Sequence, residues 1–207
     1  MSLATFLLFA QLANPLTIAP KDWKYVPEQS GPVNYYAVVT EGGESFLRSK
    51  YVPPYKTSIV AWKTPEEDRK RITKVRWTWR AQKLPVGGDE CASGKQDSGA
   101  VVYFLWKRFL KYYTLKYVWS AASTVGKTCD RKRSPFLAQE TVILQSGGAL
   151  STWKTEEIDL ASEFRRHFEG GDATAEVPNF AGIGLMSDGD QTQTESSADF
   201  GAFTLYH

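Results

Sequence analysis

The sequence predicts an all-β protein, a jelly-roll-like antiparallel β-sandwich with one short helix, and three observations support that class. Residues 74–80 read Lys-Val-Arg-Trp-Thr-Trp-Arg, which puts Val75, Trp77 and Trp79 on one face and Lys74, Arg76, Thr78 and Arg80 on the other. A period of two in aromatic and β-branched residues marks a strand with one dry and one wet face. Strand-length runs recur along the chain with turn residues between them, as in sandwiches and jelly rolls. Seven Trp, ten Tyr and eleven Phe bring the aromatic fraction to 14%, which suits a core of large rings between two sheets.

The elements follow in order. Pro15, Pro20 and Pro27 punctuate an irregular entry around Lys21-Asp22-Trp23. A hairpin comes next, with strands over 35–39 and 45–51 joined by Glu41-Gly42-Gly43-Glu44, since glycine accepts the backbone of a tight turn. Pro53-Pro54 ends the second strand, residues 57–62 begin another, and Thr64-Pro65-Glu66-Glu67-Asp68 is a charged lead into 74–80. After Pro85-Val86-Gly87-Gly88 a polar loop runs over 89–99. The apolar run 100–106 reads as a strand buried on both faces. Over 111–119, Tyr113, Leu115, Tyr117 and Trp119 alternate with Tyr112, Thr114 and Lys116, and the basic pair Lys107-Arg108 is expected to form the turn before them. A basic loop over 127–133 leads to a strand over 140–145, and Gly147-Gly148 turns the chain toward Trp153. Asp159 is placed to cap a helix whose Leu160, Phe164 and Phe168 recur on one face, with Gly170-Gly171 to stop it. A strand over 182–186, an acidic loop over 187–199 and a last strand over 200–206 complete the chain. No repeat or linker divides it, so residues 1–207 are expected to form a single domain.

Bulk properties exclude several function classes. The net charge of +2, with basic residues scattered along strands, argues against nucleic acid as a partner. With His167 and His207 as the two histidines, zinc-type spacing is absent, and a His-dependent triad would have to use one of them. Cys91 and Cys129 are too few for a disulfide framework; one bridge and two free thiols are both compatible with the sequence. Residues 3–13 are apolar but lack the basic n-region of a signal peptide, and at eleven residues they fall short of the roughly 20 that span a bilayer. Either they pack on the chain's own core, or segment 1–20 docks on a partner through Leu7, Leu8 and Phe9.

Several segments together carry a family resemblance. They are Val75-Arg76-Trp77-Thr78-Trp79-Arg80 with Leu84-Pro85, and Gly88-Asp89-Glu90 leading to Asp97 and Val101-Val102-Tyr103. Next come Leu115-Lys116-Tyr117-Val118-Trp119-Ser120, then Asp159-Leu160 with Phe164-Arg165-Arg166-His167-Phe168, and last the run from Gly182 through Ser187-Asp188-Gly189-Asp190 to Thr192. In this order they resemble the bacterial family catalogued as domain of unknown function 3047, over most of the chain from about Trp23. The resemblance implies a β-sandwich and brings no assigned activity.

Three constellations are candidates for function. Asp188 and Asp190 lie in one acidic loop, with Asp89, Glu90 and Asp97 in another, and oxygen-rich loops of this kind can hold a structural calcium ion; the alternative is a solvated loop whose Asp side chains bond locally to backbone. No carboxylate pair is singled out for glycosidase chemistry, so no catalytic residue and no other cofactor is assigned. Trp62, Trp106, Trp119 and Trp153 are available to stack on sugars, although core packing accounts for most tryptophans in such strands. The third constellation is dense in aromatic and basic residues, the composition of interfaces and membrane boundaries. Its expected partner-binding residues are Lys107, Arg108, Lys111, Tyr112 and Lys116. The functional expectation is therefore a non-enzymatic interaction or accessory subunit with a protein partner, an extrinsic component of a larger membrane-associated complex. The alternative is a carbohydrate-binding module of an extracytoplasmic protein, with polysaccharide as its partner. Both readings place the chain at a membrane or in the periplasm rather than free in the cytoplasm.

Overall fold

Among residues 15–26 and 35–207, which the computed structural model describes, the chain forms thirteen strands, one α-helix and two 3₁₀ turns. The strands are β1 (Leu16–Ile18), β2 (Lys24–Tyr25), β3 (Tyr36–Glu41), β4 (Glu44–Tyr51), β5 (Val60–Lys63), β6 (Lys74–Lys83) and β7 (Ala100–Arg108). They continue with β8 (Lys111–Ser120), β9 (Thr128–Arg133), β10 (Leu137–Ser146), β11 (Lys154–Asp159), β12 (Asn179–Met186) and β13 (Ser196–Tyr206); helix α1 (Leu160–Phe168) follows β11. The first sheet has the order β11-β6-β13-β4-β3, with β1 also paired to β13. The second runs β2-β5-β12-β7-β8-β10-β9.

The sandwich is antiparallel with one departure. The basic stretch expected as a loop over 127–133 is instead the edge strand β9. The chain crosses from β8 to that edge and returns between the two, so β10 pairs antiparallel with β9 but parallel with β8. A second correction concerns the β7–β8 turn. Register pairs Arg108 with Lys111, so the turn residues are Phe109 and Leu110 and not the basic pair before them.

Alternation along β6 works as its sequence implies: Val75, Trp77, Trp79 and Ala81 are fully buried between the sheets. Trp77 stacks on Phe203 at 6.2 Å and Trp79 meets Trp119 edge-on at 5.8 Å, joining the first sheet to itself and to the second. Full burial of each such ring contributes about 1.5–3 kcal/mol. The Asp159 carboxylate accepts the Ser162 N–H at 2.7 Å and starts α1. Phe164 then lies 5.7 Å from Trp106 and 5.0 Å from Tyr113, and Phe168 contacts both rings as well, so the helix seals the core beside the β7–β8 hairpin.

On its outer side the second sheet carries a smaller apolar cluster of Val101, Val118, Ile143 and Met186, with Ile59, Cys91 and Tyr103 packed against it. The 84–99 connection lies over this cluster and is tethered to β9 by the Cys91–Cys129 disulfide.

Candidate functional site

The wet face of β6 meets its counterparts on β4 and β13 to build a preorganised polar surface. Register places Arg48 (β4), Asp199 (β13) and Arg80 (β6) side by side across three strands. The Asp199 side chain has no solvent exposure. Arg48 donates to it through Nε at 2.7 Å and Nη2 at 2.9 Å, Arg80 through Nε at 2.7 Å, and Gln82 through Nε2 at 2.6 Å. Burial opposes the charge on Asp199, but these donors outweigh it and hold the carboxyl below its ordinary range. The outward guanidinium nitrogens of Arg48 and Arg80 converge on Glu41, at 3.0 and 2.8 Å, and that carboxyl is lowered too, chiefly by Arg80.

Aromatic rings cover the other side of these guanidinium groups. Arg80 Cζ stands 4.5 Å from the Trp153 ring and 5.1 Å from Phe46, while Arg48 lies 5.2 Å from Phe46. Trp153 and Phe46 meet edge-to-face at 5.5 Å. Beneath Trp153 the β13 register shifts between Phe200 and Phe203, bulging Gly201 out against Thr78. A Cβ at Gly201 would fall 2.2 Å from Thr78 Oγ1 and 3.4 Å from the Trp153 ring, so glycine there is what lets the bulge pack against Thr78 beneath the indole. The result is a cleft of about 490 Å³ with Trp153, Arg80 and Phe46 along one side and Glu41, Glu44, Ser45 and Thr78 presenting polar groups. Trp153 is 38% exposed, whereas Trp77, Trp79 and Trp106 are at 0% and Trp119 at 1%. Of the four tryptophans named as sugar platforms, Trp106 and Trp119 belong to the core, Trp62 is half-buried against it, and Trp153 is the open one.

The two acidic loops do come together. Asp97, Asp188 and Asp190 each bring a carboxylate oxygen within 4.8 Å of the others. Two of the three bond to backbone: Asp97 accepts N–H groups of Gln191 at 3.2 Å and Thr192 at 2.6 Å, and Asp188 that of Ser98 at 3.0 Å. Burial first, then the charge of Glu90, raises the Asp188 carboxyl well above its ordinary range. A cation here would have to compete with those amides.

Lys116 does not belong to a partner surface. Its ammonium is buried under the 84–99 connection, where it pairs with Glu90, itself 1% exposed. Burial disfavours its charge, but Tyr103, Glu90 and Asp188 more than offset that and keep it protonated. The other hairpin candidates are gathered at one place. Lys107 lies 4.9 Å from the Tyr112 ring, Arg108 reaches Glu169 at 3.4 Å and the Glu176 carbonyl at 2.5 Å, and Lys111 lies 5.1 Å from the Tyr113 ring. Leu7, Leu8 and Phe9 fall outside the described residues. His167 is held between carboxylates, with Nδ1 2.6 Å from Glu140 and Nε2 3.5 Å from Glu163, and no serine or cysteine among the described residues hydrogen-bonds to it.

The sequence places Arg80 on the wet face of β6 but carries no sign of its convergence with Asp199, Glu41 and Phe46. Arg48 and Asp199 lie 151 positions apart, and the local signal was confined to the unusual pairing of Gly201 with an aromatic strand.

Solved structures similar over most of the chain include the xyloglucanase domain of NopAA, a type three effector from Sinorhizobium fredii, in complex with cellobiose (10% identity, 93% of this chain and 97% of that one, TM-score 0.46). Others are endoglucanase 3 of family GH12 from Trichoderma harzianum (10%, 93% and 97%, TM-score 0.42) and the family 11 carbohydrate-binding module from Clostridium thermocellum (11%, 96% and 91%, TM-score 0.39). A comparison with curated proteins finds no match. The family model described as protein of unknown function, DUF3047, matches residues 21–204, nearly the whole chain, and the protein belongs to that family.

Proposed function

We propose that this protein is a non-enzymatic, extracytoplasmic carbohydrate-binding module whose glycan contact is the Trp153 cleft. The observation that carries the reading is an exposed indole fixed against Gly201 and Arg80, beside polar groups that the buried Asp199 holds in place. An aromatic face takes the C–H face of a pyranose ring, and rigid guanidinium, carboxylate and hydroxyl groups match its hydroxyls with little ordering still to be lost. Glu41 and Asp199 balance Arg48 and Arg80, and Glu44 adds a carboxylate to the cleft, which suits a neutral sugar over an anionic one. The Cys91–Cys129 bridge supports an oxidising compartment. Expectation of an accessory subunit on a membrane complex rests on other residues, those of the β7–β8 hairpin.

Intrinsic fluorescence tests the reading against soluble β-glucans, xylans and mannans, with a polyuronate for comparison. Trp153 is the most exposed tryptophan, so saturable quenching by a neutral glycan is expected to report on it. Trp153→Ala is expected to abolish that quenching and, by calorimetry, to weaken binding by roughly tenfold or more. Equal affinity in wild type and Trp153→Ala, or no binding by any neutral glycan, would refute it.

A further inference from the structure

We propose that the β7–β8 hairpin is a surface anchor that sets Phe109 and Leu110 into the headgroup region of an anionic lipid bilayer. These two residues form the whole turn between Arg108 and Lys111 and are 92% and 75% exposed. Phe109 sits at φ +53°, a left-handed conformation in which a bulky side chain is disfavoured and glycine is the usual choice. A large apolar ring kept at a position that favours glycine, and left in solvent, points to a use for the ring itself. Phe136 enlarges the apolar end: it is 65% exposed, and its carbonyl accepts the Tyr112 N–H at 2.9 Å, which places its turn beside the hairpin.

The charge on the hairpin itself has one sign. No Asp or Glu occurs from residue 103 to 120. Lys107 and Lys111 flank the turn and lie over tyrosine rings rather than carboxylates. Lys70 lines the same cleft as Phe109, with Asp159 and Glu176 at its helix side, and pairs with no carboxylate among the described residues. Arg108 is shared with Glu169. An apolar tip within a basic collar is complementary to an anionic bilayer, where lysines meet phosphate and the ring enters the acyl boundary. A two-residue turn suits that medium better than a protein partner, because a stable protein interface covers about 800 Å² on each side.

The test is sedimentation of the full chain with phosphatidylglycerol-containing vesicles and with pure phosphatidylcholine vesicles, at low and high salt. Wild type is expected to prefer the anionic vesicles and to lose that preference in salt. Phe109→Gly/Leu110→Ser is expected to bind about a hundredfold more weakly. Because glycine relieves the left-handed position, its melting temperature should stay the same or rise, which a structural role for Phe109 would not allow. Lys107→Gln/Lys111→Gln is expected to keep residual binding but lose its salt dependence. Unchanged vesicle binding by the tip variant, or none by wild type, overturns the proposal. So does a protein partner that requires Phe109 while vesicles are ignored. The Trp153 glycan titration is independent of these residues, so either reading can fail alone.

Discussion

Replacing Asp199 by Asn removes one negative charge from the centre of the polar surface while leaving its shape intact. Four hydrogen bonds from Arg48, Arg80 and Gln82 converge on this carboxylate, which has no exposure of its own. Removing one partner of a fully buried ion pair costs about 3–5 kcal/mol. The arginine side chains are 30% and 13% exposed and both retain Glu41, so partial rehydration reduces the expected penalty to about 2–3 kcal/mol. With a urea slope of about 2 kcal/mol per molar, the unfolding midpoint at neutral pH falls by roughly 1–1.5 M. The pH dependence has a definite sign. Asp199 has a lowered folded pKa, so its contribution is complete above the unfolded value near 3.9 and disappears as pH falls through the folded value. Wild type and Asp199→Asn should therefore converge in acid. Glycan affinity should also drop, since Arg80 loses the charged acceptor that holds it against Trp153. A neutral-pH penalty below about 1 kcal/mol, or one that persists undiminished in acid, would refute the assignment of Asp199 as the organising charge.

Lys116→Met leaves Glu90 and Asp188 facing each other without their cation, and a loss of about 3–5 kcal/mol is expected by chemical denaturation. The double variant Glu90→Leu/Lys116→Met should recover to within about 1–2 kcal/mol of wild type; a double variant as unstable as the single one would show that the pair does more than neutralise itself. At neutral pH, excess Ca²⁺ is expected to leave the melting temperature unchanged, because burial and the neighbouring Glu90 disfavour the charged form of Asp188 and Asp97 already accepts two backbone donors. A melting temperature that climbs with the logarithm of Ca²⁺ concentration would instead assign the Asp97, Asp188 and Asp190 cluster to a metal.

What was legible in the sequence is what is local. The β6 alternation, the Gly42-Gly43 turn and the Asp159 cap each depend on neighbours within a few positions, and each takes the expected form. Order across a sheet is a different kind of information. Thr128–Arg133 carries the composition of a solvated loop, and it becomes a strand because an edge strand tolerates exposed charge on its outer side. Its insertion at the edge is also what makes β10 parallel to β8, a result no periodicity in either strand encodes. The hairpin turn was misplaced for a related reason: Phe-Leu is not turn chemistry, and the polar-loop rule assigned the reversal to the basic pair beside it.

Arg80 and Lys116 show how far the same local pattern can diverge. Each is a basic residue at a polar position of a strand whose alternate positions are aromatic. Over Lys116 the chain lays the 84–99 connection, tethered by Cys91–Cys129, and Glu90 descends with it to neutralise the ammonium. Over Arg80 no such segment passes among the described residues. Asp199 neutralises it from within the sheet, along the strand row, and the outward face of the guanidinium remains available to Trp153 and the cleft. The direction from which the counter-charge arrives therefore decides the role. A carboxylate brought by a covering loop buries its partner, whereas one supplied by a neighbouring strand fixes the cation at the surface, where it can help to recognise a ligand.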